Sequence, residues 1–165
     1  MDESRYAVEM LGICKQFGTV QANKDVNFSV LKGEIHAIVG ENGAGKTTLM
    51  NILFGMLEPT AGKIRINGEA VKITSPNKAI HLGIGMVHQH FELVPTFTVA
   101  ENVCMGHEPR GRLGSVDKKE MVRYTRELAE QSGLHIDPEA KIKDLSVGLL
   151  QRVEILKALS RGAEI

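Results

Sequence analysis

Gly40-Glu41-Asn42-Gly43-Ala44-Gly45-Lys46-Thr47 fits the spacing G-x-x-x-x-G-K-[ST], and it stands between a short apolar run and a stretch of helical periodicity. Its glycines allow successive backbone N–H groups to curl around anionic oxygens, and the start of the following helix adds a positive dipole end. Lys46 supplies a point charge for β and γ phosphates. The Thr47 hydroxyl, one residue further on, faces the same oxygens from the first helical turn and suits Mg²⁺. A glycine loop of this kind between a strand and a helix predicts an α/β fold built around a phosphate cradle.

Working outward, Ile35-His36-Ala37-Ile38-Val39 has the continuous apolar pattern of a parallel core strand covered on both faces. Thr47 to Leu57 places Leu49, Ile52, Leu53, Met56 and Leu57 close to the i, i+3, i+4, i+7 template and predicts a helix. Before the loop, Ala7 to Ile13 is apolar-rich, and Val26, Phe28 and Val30 alternate with polar residues, which predicts antiparallel sheet from Tyr6 to Val30. After it, Asn67-Gly68 predicts a tight hairpin joining strands Lys63 to Ile66 and Ala70 to Ile73. Ser75-Pro76 opens a short helix that Gly83 stops, and Ile84 to Val87 is the second expected parallel strand.

The middle of the chain turns helical. Thr98 with Glu101, and Asp117 with Glu120, have capping-box spacing, the second ahead of a longer helix ending near Gly133. Asp137-Pro138 marks another turn, and Ser146 precedes a helix from Leu149 to Ser160. Such an order predicts a P-loop core whose parallel sheet is incomplete, with an antiparallel β subdomain in front and an α-helical subdomain inserted.

Composition narrows the function classes. The 165 residues carry 20 Lys+Arg against 20 Asp+Glu, with 42% hydrophobic and 24% charged residues, which excludes a disordered tail or a fibre. Zero net charge leaves no global field for nucleic acid, so no nucleic-acid partner is expected. The longest run free of Asp, Glu, Lys and Arg, Ala79 to Phe91, is too short and too polar to span a bilayer. The acidic start, Met1 to Arg5, does not resemble a secretory signal, and a cytoplasmic protein is expected. Cys14 and Cys104 lack metal or redox spacing and read as small buried hydrophobes. The six histidines show no metal-ligand spacing, and Asp117 to Glu120 and Arg110-Gly111-Arg112 read as solvated faces.

Two further segments select among phosphate-binding classes: Met86-Val87-His88-Gln89-His90-Phe91, after a strand, and Lys143-Asp144-Leu145-Ser146-Val147-Gly148-Leu149-Leu150-Gln151-Arg152-Val153-Glu154-Ile155, entering a helix. With the glycine loop, and in this order, they resemble the nucleotide-binding domain of ATP-binding cassette transporters over essentially the whole chain. Within that family the wording Gly40 to Thr48, the Gln between histidines and Leu-Ser-Val-Gly is most similar to the ATPases of sugar and nucleoside importers.

The resemblance implies ATP and Mg²⁺ as ligands and assigns roles by position. Gly40, Glu41, Asn42, Gly43, Ala44, Gly45, Lys46, Thr47 and Thr48 match the phosphate loop, and Gln89 matches the glutamine that joins Thr47 at the metal and acts with Lys46 in catalysis. Phe17 matches the aromatic that stacks on adenine, and Ser146, Val147 and Gly148 match the signature that binds the nucleotide of a second ATP-binding domain in a head-to-tail dimer. Leu149 and Leu150 depart from the polar glutamines usual there. Transmembrane permease subunits are the implied partners, a solute-binding protein an indirect one, and the inner face of the cell membrane the implied location.

The family places its metal-holding aspartate, catalytic glutamate and switch histidine beyond the position of Ile165, so the resemblance implies one domain cut before that strand and, at this length, binding without turnover. Its expected segments are 1–90, the β subdomain and loop core; 91–148, the helical subdomain; and 149–165, a return to the core. A soluble cassette ATPase without membrane partners and a non-catalytic nucleotide-binding module remain alternatives.

Overall fold

A computed structural model describes residues 5–111 and 114–165; the first four residues and Arg112, in two of the stretches interpreted above, lie outside them. The chain divides into two units, one reaching to Ile84 and including Ile165, the other spanning Gly85–Glu164. The borders expected at residues 90 and 148 do not coincide with this division.

The first unit is built on hairpins, because its strands pair with sequence neighbours. Strands β1 (Tyr6–Phe17), β2 (Val20–Leu31), β3 (Ala61–Ile66) and β4 (Glu69–Val71) form an antiparallel sheet in the order β2-β1-β3-β4. Val8 and Met10 point inward with the two-residue period of a strand. A bulge between Met10 and Ile13 then shifts the parity, so that Ile13 is buried as well. Ile64 and Ile66 of β3 complete that face, and each such side chain contributes about 1.5–3 kcal/mol on burial. Asn67 and Gly68 both have positive φ, 53° and 86°, the backbone of a type I′ turn, and bring Glu69 opposite Ile66. Helix α1 (Lys46–Leu53) buries Leu49, Ile52 and Leu53. Helix α2 (Pro76–His81) starts as expected, with the Ser75 hydroxyl accepting from the Lys78 N–H.

The expected parallel strands are not formed. Residues 35–39 and 84–87 have no regular structure, and Ile35 is 100% and Val39 93% exposed. Apolar content alone does not make a strand: a parallel strand draws its hydrogen bonds from segments distant in sequence, and among the described residues every named strand pairs antiparallel with another.

The second unit is helical. Helices α3 (Val99–Val103), α4 (Lys118–Gln131) and α5 (Val147–Leu159) enclose a core of Val99, Val103, Ala129, Ile142, Val153 and Leu156. The helix expected from Leu149 therefore packs in this unit rather than returning to the strand core. Both expected caps are present. Thr98 and Glu101 form a reciprocal capping box, with bonds of 3.1 Å and 2.8 Å, and Asp117 accepts from the Glu120 N–H. The Thr98 N–H, and then Lys118 at 3.0 Å, hold the Glu101 carboxyl below the usual carboxylate range.

Candidate nucleotide-binding site

The glycine loop enters α1 through residues that only glycine adopts readily, Gly43 at φ 87° and Gly45 at φ 84°, the latter as the helix N-cap. Gly45 is also the point where the loop is pressed against β2. A Cβ there would run into the Ala22 carbonyl and lie 2.8 Å from Asn23 Nδ2. At Gly43 a Cβ would meet nothing within 4 Å. Asn23, 6% exposed, donates from Nδ2 to the Gly45 carbonyl at 3.3 Å and so anchors the loop from the strand side.

Lys46 folds back over the loop it follows. Its ammonium donates to the carbonyl oxygens of Gly40 at 2.5 Å and Glu41 at 2.8 Å, which fixes a positive charge above the backbone. Glu41, Asn42, Gly43, Ala44 and Thr47 are exposed, and Thr48 is half-buried beside the buried Leu49. The first turn of α1 has no acidic residue to neutralise its dipole end. A cationic side chain, an open helix start and an exposed loop of amide groups suit a polyphosphate.

The metal implied by the resemblance fits a modest donor set. Among the described residues no group of three His, Cys, Asp or Glu could form a cage. Mg²⁺ keeps waters and phosphate oxygens and takes only one or two protein oxygens, which the exposed Thr47 hydroxyl and a glutamine amide satisfy chemically.

Phe17 ends β1 and is 46% exposed. The hairpin register pairs Phe17 with Val20 and Lys15 with Asn23, so the ring sits two residues, about 7 Å of strand, from the position that anchors Gly45. Lys15 Nζ lies 5.1 Å from the ring centroid and occupies one face as a cation–π partner.

Gln89, Ser146 and Gly148 belong to the second unit, and Phe17 and the glycine loop to the first. Gln89 lies in an irregular segment. Ser146 is the N-cap of α5, yet its hydroxyl makes no capping bond, while its carbonyl accepts from Leu149 at 2.9 Å and Leu150 at 3.0 Å. The exposed hydroxyl is therefore not consumed by the helix start. Leu150 packs against the helical core, which accounts for an apolar residue there. Burial pushes the Cys104 thiol up, consistent with an inert buried hydrophobe.

Sequence reasoning missed four residues: Asn23, and Asn102, Glu154 and Lys157, whose side chains hold the segment after Gln89. The available signal was a polar residue where a strand or apolar stripe faces inward.

This is the architecture of a nucleotide-binding cassette, a phosphate loop beside an antiparallel β subdomain with a separate helical unit. The family model described as ABC transporter matches residues 23–165, and the chain belongs to that family. It is 57% identical over 160 residues to the guanosine import ATP-binding protein NupO of Bacillus subtilis, which covers 97% of this chain and 31% of that protein. The nucleoside import ATP-binding protein NupA of Lactococcus lactis is 52% identical, covering 96% and 31%. Among solved structures, the ADP conformation of an ATP-binding cassette of an ABC transporter superposes with TM-score 0.80 at 27% identity, over 96% of this chain and 66% of that one. The dimeric post-hydrolysis state of a cassette bound to ADP and Pi gives 0.74 at 28%, over 94% and 70%. The chain thus spans about a third of the length of these curated relatives.

Proposed function

We propose that this chain is the ATP-binding part of a solute importer, that its loop takes Mg-ATP, and that nucleosides rather than sugars are the transported class. The observation that carries the proposal is the loop itself: Lys46 poised over an exposed glycine backbone at an uncapped helix start. The names of the relatives support the solute. Those at 57% and 52% identity are named for guanosine and nucleoside import, against 47% for a ribose import protein of Rubrobacter xylanophilus.

In this proposal the Lys46 ammonium exchanges the carbonyls of Gly40 and Glu41 for β and γ phosphate oxygens, while Gly43, Gly45 and the first turn of α1 bind them through N–H groups. Phe17 stacks on adenine with the face that Lys15 leaves free. Thr47 and Gln89 offer oxygens to Mg²⁺, which when bound neutralises charge building on the transferred phosphoryl group. Ser146 and Gly148 serve the nucleotide of a second, head-to-tail domain. The translocation path belongs to permease subunits at the inner membrane face, supplied by a solute-binding protein, in keeping with the import named for the relatives.

The test is uptake of labelled guanosine and labelled ribose by cells with and without the gene. Loss of nucleoside uptake alone is expected. Loss of ribose uptake alone would overturn the solute, and loss of neither would overturn the importer.

A further inference from the structure

The segment after Gln89 has neither helix nor strand to satisfy its backbone, yet its polar groups do not go begging. The Glu92 N–H donates to Glu154 Oε1 at 2.7 Å, and the Glu92 carbonyl accepts from Lys157 Nζ at 2.8 Å. Two residues on, the Val94 N–H donates to Asn102 Oδ1 at 2.7 Å and the Val94 carbonyl accepts from Asn102 Nδ2 at 3.2 Å. In an extended chain, residues i and i+2 present N–H and C=O to the same edge. Side chains from α5 and α3 therefore occupy one edge of this segment as a neighbouring strand would.

The arrangement is an expensive way to hold a loop. Asn102 is 1% and Glu154 3% exposed, and the Lys157 side chain stands 3.7 Å from the carboxylate. A buried ion pair of this kind is weak evidence for stability, because apolar residues of similar volume often serve as well. What apolar residues cannot do is hold a main-chain N–H and C=O in register. Glu154 lies eight residues from Ser146, about 12 Å along α5, so one rigid helix carries the signature serine at its start and the loop anchor two turns later. Glu92 follows Gln89 by three residues, at most about 11 Å of chain.

We propose that Asn102, Glu154 and Lys157 are positioning residues that clamp the backbone at Glu92 and Val94, so that the signature helix α5 sets the placement of Gln89. The proposal rests on the assignment of Gln89 to the metal site. A displacement of α5 then moves the glutamine loop directly, with α3 holding Val94 as a second fixed point.

The test uses this chain and two measurements. Amide hydrogen exchange is followed residue by residue in the parent, Glu154→Ala and Glu154→Gln. ATP affinity is measured with Mg²⁺ and with EDTA in these and in Gln89→Ala. Glu154→Ala should speed exchange at Glu92 by at least tenfold and remove the same part of the Mg²⁺-dependent gain in affinity, about tenfold, that Gln89→Ala removes, leaving affinity in EDTA unchanged. The double variant should lose no more than either alone. Glu154→Gln, which keeps an acceptor for the Glu92 N–H, should restore most of both effects; it also serves if Glu154→Ala does not fold. Unchanged exchange at Glu92, or a Mg²⁺ gain kept in Glu154→Ala but lost in Gln89→Ala, would overturn the clamp. A gain kept in Gln89→Ala while Glu92 exchange rises in Glu154→Ala would place the error in the assignment of Gln89 and remove the positioning role with it.

Discussion

Gly45→Ala and Gly43→Ala make a matched pair, since both glycines have nearly the same positive φ, 84° and 87°, and only one has a neighbour where the new methyl would go. Left-handed backbone costs a non-glycine residue about 1–2 kcal/mol, and the stiffer unfolded chain offsets about 0.4–1 kcal/mol of that. Gly43→Ala should therefore lose about 1 kcal/mol. At Gly45 the methyl meets the Ala22 carbonyl and Asn23 Nδ2, and a backbone carbonyl of a paired strand cannot swing aside as a side chain would. Overpacking adds about 1–3 kcal/mol, and loss of the Asn23 bond to the Gly45 carbonyl about 1 kcal/mol more. The sum, about 3–5 kcal/mol, must appear as lower stability, as weaker phosphate binding through a displaced loop, or as both. Thermal unfolding and calorimetric titration with Mg-ATP read the two quantities. Gly43→Ala should shift affinity about fivefold or less, and Gly45→Ala should lose more than a hundredfold or unfold well below the parent. Equal losses in the two variants would refute the claim that the loop is pressed against β2.

Phe17→Ala should weaken ATP by about 1–3 kcal/mol, the worth of one base–aromatic stack, while leaving inorganic triphosphate unaffected; a matching loss for triphosphate would place the ring's role in the fold instead. Glu101 should make the helical unit acid-sensitive. Its carboxyl is held below the ordinary value, first by the Thr98 N–H and then by Lys118, so its contribution is complete above the ordinary carboxylate range and lost as pH falls through the lowered value. Urea unfolding across that range should accordingly show a steeper acid loss for the parent than for Glu101→Gln, and parallel curves would exclude the contribution. Thr98→Ala, which removes the other half of the box, should cost about 1 kcal/mol at neutral pH by the same assay.

What was legible in the sequence was local. Asn67-Gly68, Ser75-Pro76 and Thr98 with Glu101 each specify a turn or helix start through bonds spanning a few residues and have the expected geometry, whereas Asp117 caps its helix but Glu120 turns to Arg123 instead of closing the box. The glycine loop ahead of α1 is local in the same way, since Lys46 reaches carbonyls only five and six residues back. The strands at 35–39 and 84–87 were misjudged because apolar content shows that a segment can be buried and says nothing of what pairs with it. Asn23 and Glu154 were overlooked because their partners are main-chain groups 22 and 62 residues away, which no periodicity encodes. In Leu149-Leu150 the sequence showed a departure from the family wording, and only the packing of Leu150 into the helical core showed what one of those leucines does.

The central claim is that the loop from Gly40 to Thr47 binds the phosphates of Mg-ATP with Lys46 as its cation. Titration calorimetry of the parent chain and Lys46→Ala, with thermal unfolding of both, tests it most directly. The parent should bind one Mg-ATP, and the variant, melting at the same temperature, should lose the worth of charge-assisted bonds to phosphate, about 1.5–3 kcal/mol or roughly 10- to 150-fold in affinity. Equal affinity in a well-folded Lys46→Ala would contradict the account.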